Sequence, residues 1–219
     1  MVKQALALAF AGFFASSSMA AVTIQTVAFG GVASPAGAVV IDFEGADLSS
    51  VVPSGFTATS TGNVGLYTGS QAGVAAAPMG DATQYLGIRN GSYTLQSATG
   101  YSNLSFYWGS IDAGNQVDLL DANGKSFFTL TGNSALTSSD AKGNWFSGAD
   151  NRTVLINSDE KIYGVSFYYP STAFELDDLV FDAISAAPEP ATWALMAGGF
   201  GLIGFAMRST RKTTGTSFA

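Results

Sequence analysis

Short apolar runs, separated by turn residues, follow one another along the chain from residue 22 to residue 181. They are rich in Val, Ile, Phe, Tyr and Thr, the side chains that favour β-strands. In this region the 3.6-residue helical period never lasts beyond a turn or two, and residues 134–142 are the candidate for one short helix. The pattern predicts strands over residues 22–29, 38–45, 84–88, 92–97, 103–110, 115–121, 125–131, 152–157, 161–169 and 173–181.

Glycine, asparagine and aspartate mark the predicted reversals of the chain. The sequence Asp-Ala-Asn-Gly at residues 121–124 predicts a hairpin, and Asn90-Gly91 predicts a second turn because both residues accept a positive φ. Residues 49–79, rich in Gly, Ser, Thr and Ala, predict long loops around one or two weak strands. Many short strands with closely spaced turns predict an all-β fold, an antiparallel β-sandwich of jelly-roll type.

Both ends of the chain are hydrophobic, in two different ways. Residues 1–20 combine Lys3, a short apolar run and the small-residue site Ser18-Met19-Ala20, which together predict a signal peptide cleaved after Ala20. Residues 191–207 carry no charge and can cross a hydrocarbon core of about 30 Å as one C-terminal transmembrane helix. The predicted body of the protein is therefore a single domain over residues 21–187.

The C-terminal apolar segment also contains a G-x-G-x-x-G pattern at Gly199, Gly201 and Gly204. In a dinucleotide-binding protein this pattern follows a strand, opens a helix and precedes an acidic residue. Here it lies inside the apolar segment, and basic residues follow it, so the sequence excludes that reading. By the positive-inside rule, the basic cluster marks the cytoplasmic end of the span; it consists of Arg208, Arg211 and Lys212.

Charge and composition exclude several classes of function. The body carries 15 acidic and 5 basic residues, too few cations to neutralise a run of phosphates, so nucleic-acid binding is not expected. The chain has neither Cys nor His, which leaves oxygen ligands and carboxylate pairs as its chemistry. Because the chain has no nucleophile motif, we do not expect an enzyme. The carboxylates that a glycan-cleaving pair would draw on are Asp112, Asp118, Asp159 and Glu160.

Two pairs of aromatic residues are candidates for ligand contact. Trp145 and Phe146 lie in the polar loop KGNWFSGADN, where exposed rings stack on sugars, although large aromatic side chains more often close the end of a core. Tyr107 and Trp108 lie on a predicted strand, where at most alternate side chains face solvent, and we expect them to belong mostly to the core.

The C-terminal region resembles a known sorting signal. The order of Pro188-Glu189-Pro190, the apolar span and the basic cluster resembles the PEP-CTERM signal of exported bacterial proteins. In that family an exosortase, a membrane-embedded transpeptidase, recognises the signal in bacteria that make exopolysaccharide. The resemblance implies a sorting signal over residues 188–212 and a short tail over 213–219. The partners it implies are the exosortase, the Sec export machinery, the inner membrane and exopolysaccharide.

The body resembles the β-sandwich ectodomains that carry this signal. The stretches IDFEG (41–45), LSFYWGSIDAGNQVDLLDANG (104–124) and AFELDDLVFD (173–182) carry that resemblance. The opening FE and the closing DD also resemble jelly-roll carbohydrate-binding modules, in which the first and last strands are neighbours. That resemblance implies a structural Ca²⁺ held by Glu44 with Asp177 or Asp178. The alternative is that these carboxylates are exposed and protect a strand edge from pairing.

The function expected from the sequence is therefore positional. The protein is expected to be an exported, non-catalytic surface or extracellular-matrix protein, sorted by an exosortase and associated with exopolysaccharide and biofilm. It would be held in the inner membrane by its C-terminal helix before processing and would then reach the cell surface or matrix. The alternative is a carbohydrate-binding module with a structural calcium site, and a glycan-cleaving enzyme is a distant third.

Overall fold

The structure, a computed structural model, describes residues 21–29, 34–136, 141–182 and Phe200. Every strand pair between the elements of this part of the chain is antiparallel, which confirms the all-β prediction. The elements are β1 (Val22–Val27), β2 (Val39–Ile41), β3 (Phe56–Thr68), β4 (Gln84–Gly109), β5 (Gln116–Leu120), β6 (Ser126–Thr131), α1 (Gly132–Ala135) and β7 (Arg152–Asp182).

Two of the predicted segments lie outside this description. The signal peptide over residues 1–20 is not described, and of the apolar span over residues 191–207 only Phe200 is. Within the described residues, no helix combines the length and the apolar character needed to cross a membrane.

The long strands β4 and β7 organise the sheet, because they pair with each other twice and nearly every other strand pairs with one of them. Around residues 92–97 of β4 and 164–169 of β7, the strand order is β3, β4, β7, β5 and β6. Residues 103–108 of β4 lie between two parts of β7, and β1 and β2 flank those parts on the outside. The single continuous sheet therefore contains two groups of strands.

Aromatic side chains join the two groups of strands in one core. Phe106 packs edge-on against Phe167 of the other group, with ring centroids 5.2 Å apart. Trp108 stacks on Phe174 at 4.8 Å with an interplanar angle of 5°, and its Nε1 donates to the Oδ1 of Asn115 at 3.2 Å. All four rings are fully buried, which removes roughly 150 to 250 Å² of mostly apolar surface from water for each. Tyr107, on the other face of the strand, is buried as well, so the expectation of a core role for Tyr107 and Trp108 is confirmed.

The prediction of a chain reversal at Asn90-Gly91 is wrong, because β4 runs through this point without turning back. The register shifts here instead, from Thr61 opposite Ser92 to Asn63 opposite Arg89. Asn90 does adopt the positive φ that its residue type allows, at 47°. The Asn-Gly pair thus forms a bulge that re-aims the strand, as bulges do.

Three other local predictions have different outcomes. The hairpin at residues 121–124 is confirmed, since the Gly124 N–H donates to the Asp121 carbonyl at 3.0 Å and Gly124 has φ 74°. The helix begins earlier than predicted, at Gly132, and residues 137–140 lie outside the described residues. Residues 49–79 contain β3, a strand of 13 residues, far longer than the weak strands expected there.

Two backbones touch at the bulge between β3 and β4. A Cβ atom added at Gly91 would lie 2.0 Å from the Thr61 carbonyl oxygen, and one added at Gly62 would lie 2.1 Å from that of Asn90. Neither backbone atom can move away without breaking the ladder, so only glycine fits at these two positions.

We expect Gly91→Ala to lower the free energy of unfolding by about 3 kcal/mol, because the added methyl group forces the two strands apart. Urea denaturation followed by circular dichroism measures the loss. Gly148→Ala is the matched control, since a Cβ there meets nothing within 4 Å. Equal stability of the two variants would contradict the close approach of the strands.

Candidate functional site

The predicted calcium ligands lie beside the start of β4. The Glu44 carboxylate accepts the Gln84 backbone N–H at 2.5 Å, and Asp177 Oδ2 accepts the Thr83 hydroxyl at 3.2 Å. Two of the three predicted ligands, Glu44 and Asp177, thus bind to residues that are adjacent in the chain, Gln84 and Thr83. Glu44 and Asp178 are exposed, as expected for edge carboxylates, whereas Asp177 is only 3% exposed.

Asp177 faces a second carboxylate, Asp81. Asp177 Oδ1 and Asp81 Oδ2 are both buried and have no hydrogen-bond partner when the two groups are ionised. Burial, together with the negative charges of Asp81 and Asp178, raises the pKa of Asp177 to about 9. Because ionised carboxylates only accept hydrogen bonds, a proton kept on Asp177 is what allows the two groups to bind each other.

The residues at this site fit calcium only in part. Unpartnered buried carboxylate oxygens suit a cation, but Ca²⁺ takes six to eight oxygen ligands. Among the described residues, no group of three or more His, Cys, Asp or Glu side chains is arranged to hold a metal. Calcium binding by Glu44, Asp177 and Asp178 therefore stays a prediction, and a proton on Asp177 accounts for the pair with the atoms present.

A second group of polar side chains lines a cavity of about 440 Å³, to which β7 contributes residues 172–175, just before Asp177. Residues 70–76 line one part of it, Gly143 and Trp145 contribute as well, and Glu175 lines it while almost fully buried. Glu175 accepts the Ala76 backbone N–H at 2.9 Å and the Ser110 hydroxyl at 2.5 Å. Burial raises the pKa of Glu175 to about 7, so its charge is finely balanced near neutral pH.

Asp112 is the other carboxylate of the cavity. Burial raises its pKa, while a hydrogen bond from the Tyr169 hydroxyl opposes that rise. Gly143 crosses directly over it with φ 65°, and a Cβ at Gly143 would lie 2.3 Å from Asp112 Oδ1. The loop can therefore approach the carboxylate this closely only because residue 143 is glycine.

Asn151 holds the segments around the cavity together. It is 2% exposed, and its Oδ1 accepts the backbone N–H groups of Met79 at 3.0 Å and of Ser110 at 3.1 Å. Its Nδ2 donates to the carbonyl oxygens of Asn144 at 3.2 Å and of Ser147 at 2.9 Å. One buried amide thus uses both its ends to fix three separate segments, which makes the cavity preformed.

One of the two candidate aromatic residues lines this cavity, and the other packs against the first. Trp145 lines it and is 41% exposed, while Phe146 is 70% exposed. Their ring centroids are 3.8 Å apart, with an interplanar angle of 37°. Both rings are thus available to solvent, whereas the alternative placed them at the end of the core.

The carboxylates considered for a catalytic pair are distributed over the molecule. Asp118, on β5, accepts the hydroxyls of Thr129 and Ser126, and Asp159 and Glu160 are exposed on β7. Asp112 alone among these four lines the cavity. Sequence reasoning missed Glu175, Ser110 and Asn151, because segments that cover them were read as plain loop.

We expect the Asp81–Asp177 pair to make folding less favourable as the pH rises. Between about pH 6 and pH 8 the folded Asp177 keeps its proton while the unfolded carboxyl, with a pKa near 4, has lost it. The stabilising contribution is complete below about pH 4 and is lost as the pH rises to about 9. The free energy of unfolding should therefore fall by about 1.4 kcal/mol per pH unit relative to Asp177→Asn.

Urea denaturation of the wild type and of Asp177→Asn at about pH 6 and pH 8 measures this slope. The exposed Asp159→Asn is the control, and it should show the same slope as the wild type. A slope shared by the wild type and Asp177→Asn would contradict the retained proton. Stabilisation of the wild type, but not of Asp177→Asn, by Ca²⁺ over EDTA would favour the calcium site.

Comparisons with known proteins bear mainly on the C-terminal region. The comparison with curated proteins gave no significant match. One similar solved structure is the K2 cleaved adhesin domain of Lys-gingipain, at 18% identity and a TM-score of 0.30, over 73% of this chain and 99% of that one. The model of the PEP-CTERM protein-sorting motif matches residues 186–212. That match takes in Pro188-Glu189-Pro190, the apolar span and the basic cluster together, so the chain carries a PEP-CTERM protein-sorting motif at residues 186–212.

Proposed function

We propose that this is a non-catalytic surface or extracellular-matrix protein that an exosortase sorts and that associates with exopolysaccharide. The sorting motif at residues 186–212 carries the proposal, because it implies export and processing by an exosortase in the membrane. In the proposed sequence of events, residues 1–20 direct the chain to the Sec machinery and are removed. Residues 191–207 then stop in the inner membrane, and the exosortase acts near Pro188. The basic cluster that remains on the cytoplasmic side is Arg208, Arg211 and Lys212.

The charge of the body supports a place in a hydrated matrix. With 15 acidic residues against 5 basic ones, the body is repelled by anionic lipid headgroups and by nucleic acid. Its negative charge also opposes self-association of the folded domains. These properties suit a protein that is moved away from the membrane after processing.

A jelly-roll topology is part of the proposal, and the pairing of β2 supports it. Residues Val39 to Ile41 pair antiparallel with Phe181 to Leu179, so an early strand lies beside the last residues of β7. This is the arrangement that the resemblance to carbohydrate-binding modules implies. It also means that the chain leaves the body at Asp182 next to a strand from its beginning.

A non-catalytic role is likewise a proposal. Among the described residues that line the cavity, Asp112 is the one carboxylate that could pair with Glu175, and both oxygens of Glu175 already accept hydrogen bonds from the chain. Those bonds attach the segment around Ala76 to Ser110 at the end of β4. Glu175 thereby helps to hold the cavity wall, which gives this buried carboxylate a structural role without catalysis.

We expect the exosortase to remove the C-terminal tail near Pro188. Intact-mass analysis of the protein from the envelope and the medium, in strains with and without the exosortase gene, measures this directly. Loss of the tail should occur only when the exosortase is present. Glu189→Gln in the motif should reduce the processed fraction several-fold, whereas the same change at the exposed Glu160 should leave it unchanged.

An intact tail in both strains would contradict exosortase processing and leave residues 191–207 as a plain membrane anchor. Equal processing of Glu189→Gln and Glu160→Gln would show that the motif's carboxylate is not part of recognition. Fractionation of the processed protein with purified exopolysaccharide separately tests the matrix association.

A further inference from the structure

We propose that the cavity lined by Asp112, Glu175 and Trp145 binds a neutral sugar residue. The proposal rests on the proposed function, since it names the chemical class that would retain this surface protein in a polysaccharide layer. The cavity volume of about 440 Å³ falls in the range of small-molecule sites, roughly 300 to 1,000 Å³. The cavity therefore holds one or a few sugar residues and excludes a folded partner.

The aromatic ring that lines the cavity matches the apolar face of a sugar. Trp145 is 41% exposed although its indole is one of the largest apolar surfaces in the chain, so it remains in water at a cost that a ligand would remove. Its neighbour Phe146, with a ring centroid 3.8 Å away, supports the indole from one side. A sugar that stacks its C–H face on Trp145 covers this surface.

The polar groups inside the cavity match the hydroxyls of the same ligand. A carboxylate has about four lone-pair positions, and Glu175 uses one on each oxygen for Ala76 and Ser110. The remaining positions, with those of Asp112, point to hydrogen-bond donors as ligand groups. Val74, Ala75 and other small residues line the same cavity, so it offers apolar as well as polar surface, as a sugar does.

The charge of the wall favours a neutral sugar over an acidic one. The described residues that line the cavity include two acidic side chains and neither Lys nor Arg. A uronate or a phosphate would have to approach these carboxylates with no cation to compensate, which costs free energy. Neutral sugars of the host's own exopolysaccharide and neutral glycans from elsewhere share the required chemistry, and the experiment below separates the two sources.

The cavity is also fixed before a ligand arrives. Asn151 ties residues 144, 147, 79 and 110 together through four hydrogen bonds, and Glu175 attaches residue 76 to the same place. A preformed site loses little conformational entropy on binding, which is what a small ligand with few contacts needs. The geometry therefore points to ligand binding at this end of the body.

The test is isothermal titration calorimetry on the full chain, purified from the exosortase-deleted strain in a detergent without sugar headgroups. The probes are neutral gluco- and galacto-oligosaccharides, neutral oligosaccharides from the host's exopolysaccharide, an oligouronate and choline. We expect a neutral oligosaccharide to bind and the oligouronate not to bind. Tighter binding of the host's oligosaccharides than of the others identifies the host polymer as the source.

We expect Trp145→Ala and Asp112→Asn each to weaken that binding about tenfold or more, since each removes a contact worth at least one hydrogen bond or ring stack. Tyr168→Ala is the matched control, because the exposed fraction of Tyr168, 39%, is similar to that of Trp145, but Tyr168 lies outside the cavity. It should bind as the wild type does. Melting curves of all variants separate loss of binding from loss of fold.

The outcomes distinguish this proposal from the proposed function. Absence of binding to every neutral oligosaccharide, binding of choline instead, or equal weakening by Tyr168→Ala would overturn the sugar site, whatever the fate of the tail. Normal sugar binding, together with a tail that stays intact in the strain that has the exosortase, would uphold the site and refute exosortase sorting. New reducing ends in the titrated mixtures, absent with Asp112→Asn, would convert the site from a binding site to a hydrolytic one and overturn the non-catalytic reading.

Discussion

The antiparallel pairing of β4 with β7 is the constraint on which the rest of the structure depends. β3 pairs with β4, and β1, β2 and β5 all pair with β7, so only β6 is held by neither of the two long strands. Both long strands take part in both groups of strands. No additional connecting segment is therefore needed to bring the core side chains of the two groups together. Opposite Gly109, at the end of β4, lies Glu175, and this register places the carboxylate next to Ser110. The cavity is thus a direct product of the ladder.

Much of the strand pattern could be predicted from the sequence, because buried positions alternate with exposed ones wherever one face of a strand meets water. β5 follows that rule over its first four residues, and the hairpin at residues 121–124 follows from its turn residues. β3 does not, since its polar and small residues lie at a sheet edge where few side chains need be buried. At Asn90-Gly91 the residue types correctly indicated a positive φ, but a bulge and a turn require the same residues. What distinguishes a bulge from a turn here is the close approach of Gly62 in β3. Gly62 is distant in sequence, so the local pattern does not reveal this contact.

The candidate site was less predictable than the fold. Trp145 and Phe146 could be identified because large aromatic residues in a polar loop are conspicuous. Glu175 could not, because a carboxylate between Phe174 and Leu176 indicates the solvent-facing side of a strand. Its burial depends on a cover contributed by residues about a hundred positions earlier, namely the segment around Ala76. Asp177 is a similar case, since Asp178 beside it is exposed and the sequence gives no reason to distinguish them.

The pairing at the end of β7 has a mechanical consequence. Residues 179–181 are paired on one side with β2 and on the other with residues 104 and 105 of β4. A tether attached beyond Asp182 and a polymer held at the cavity near Glu175 would pull on opposite ends of one strand segment, roughly 23 Å long at about 3.3 Å per residue. Force along that line loads the flanking hydrogen bonds in shear, so they resist together and do not open one after another. If the proposed attachment and polymer binding hold, this strand segment would carry the tension between them.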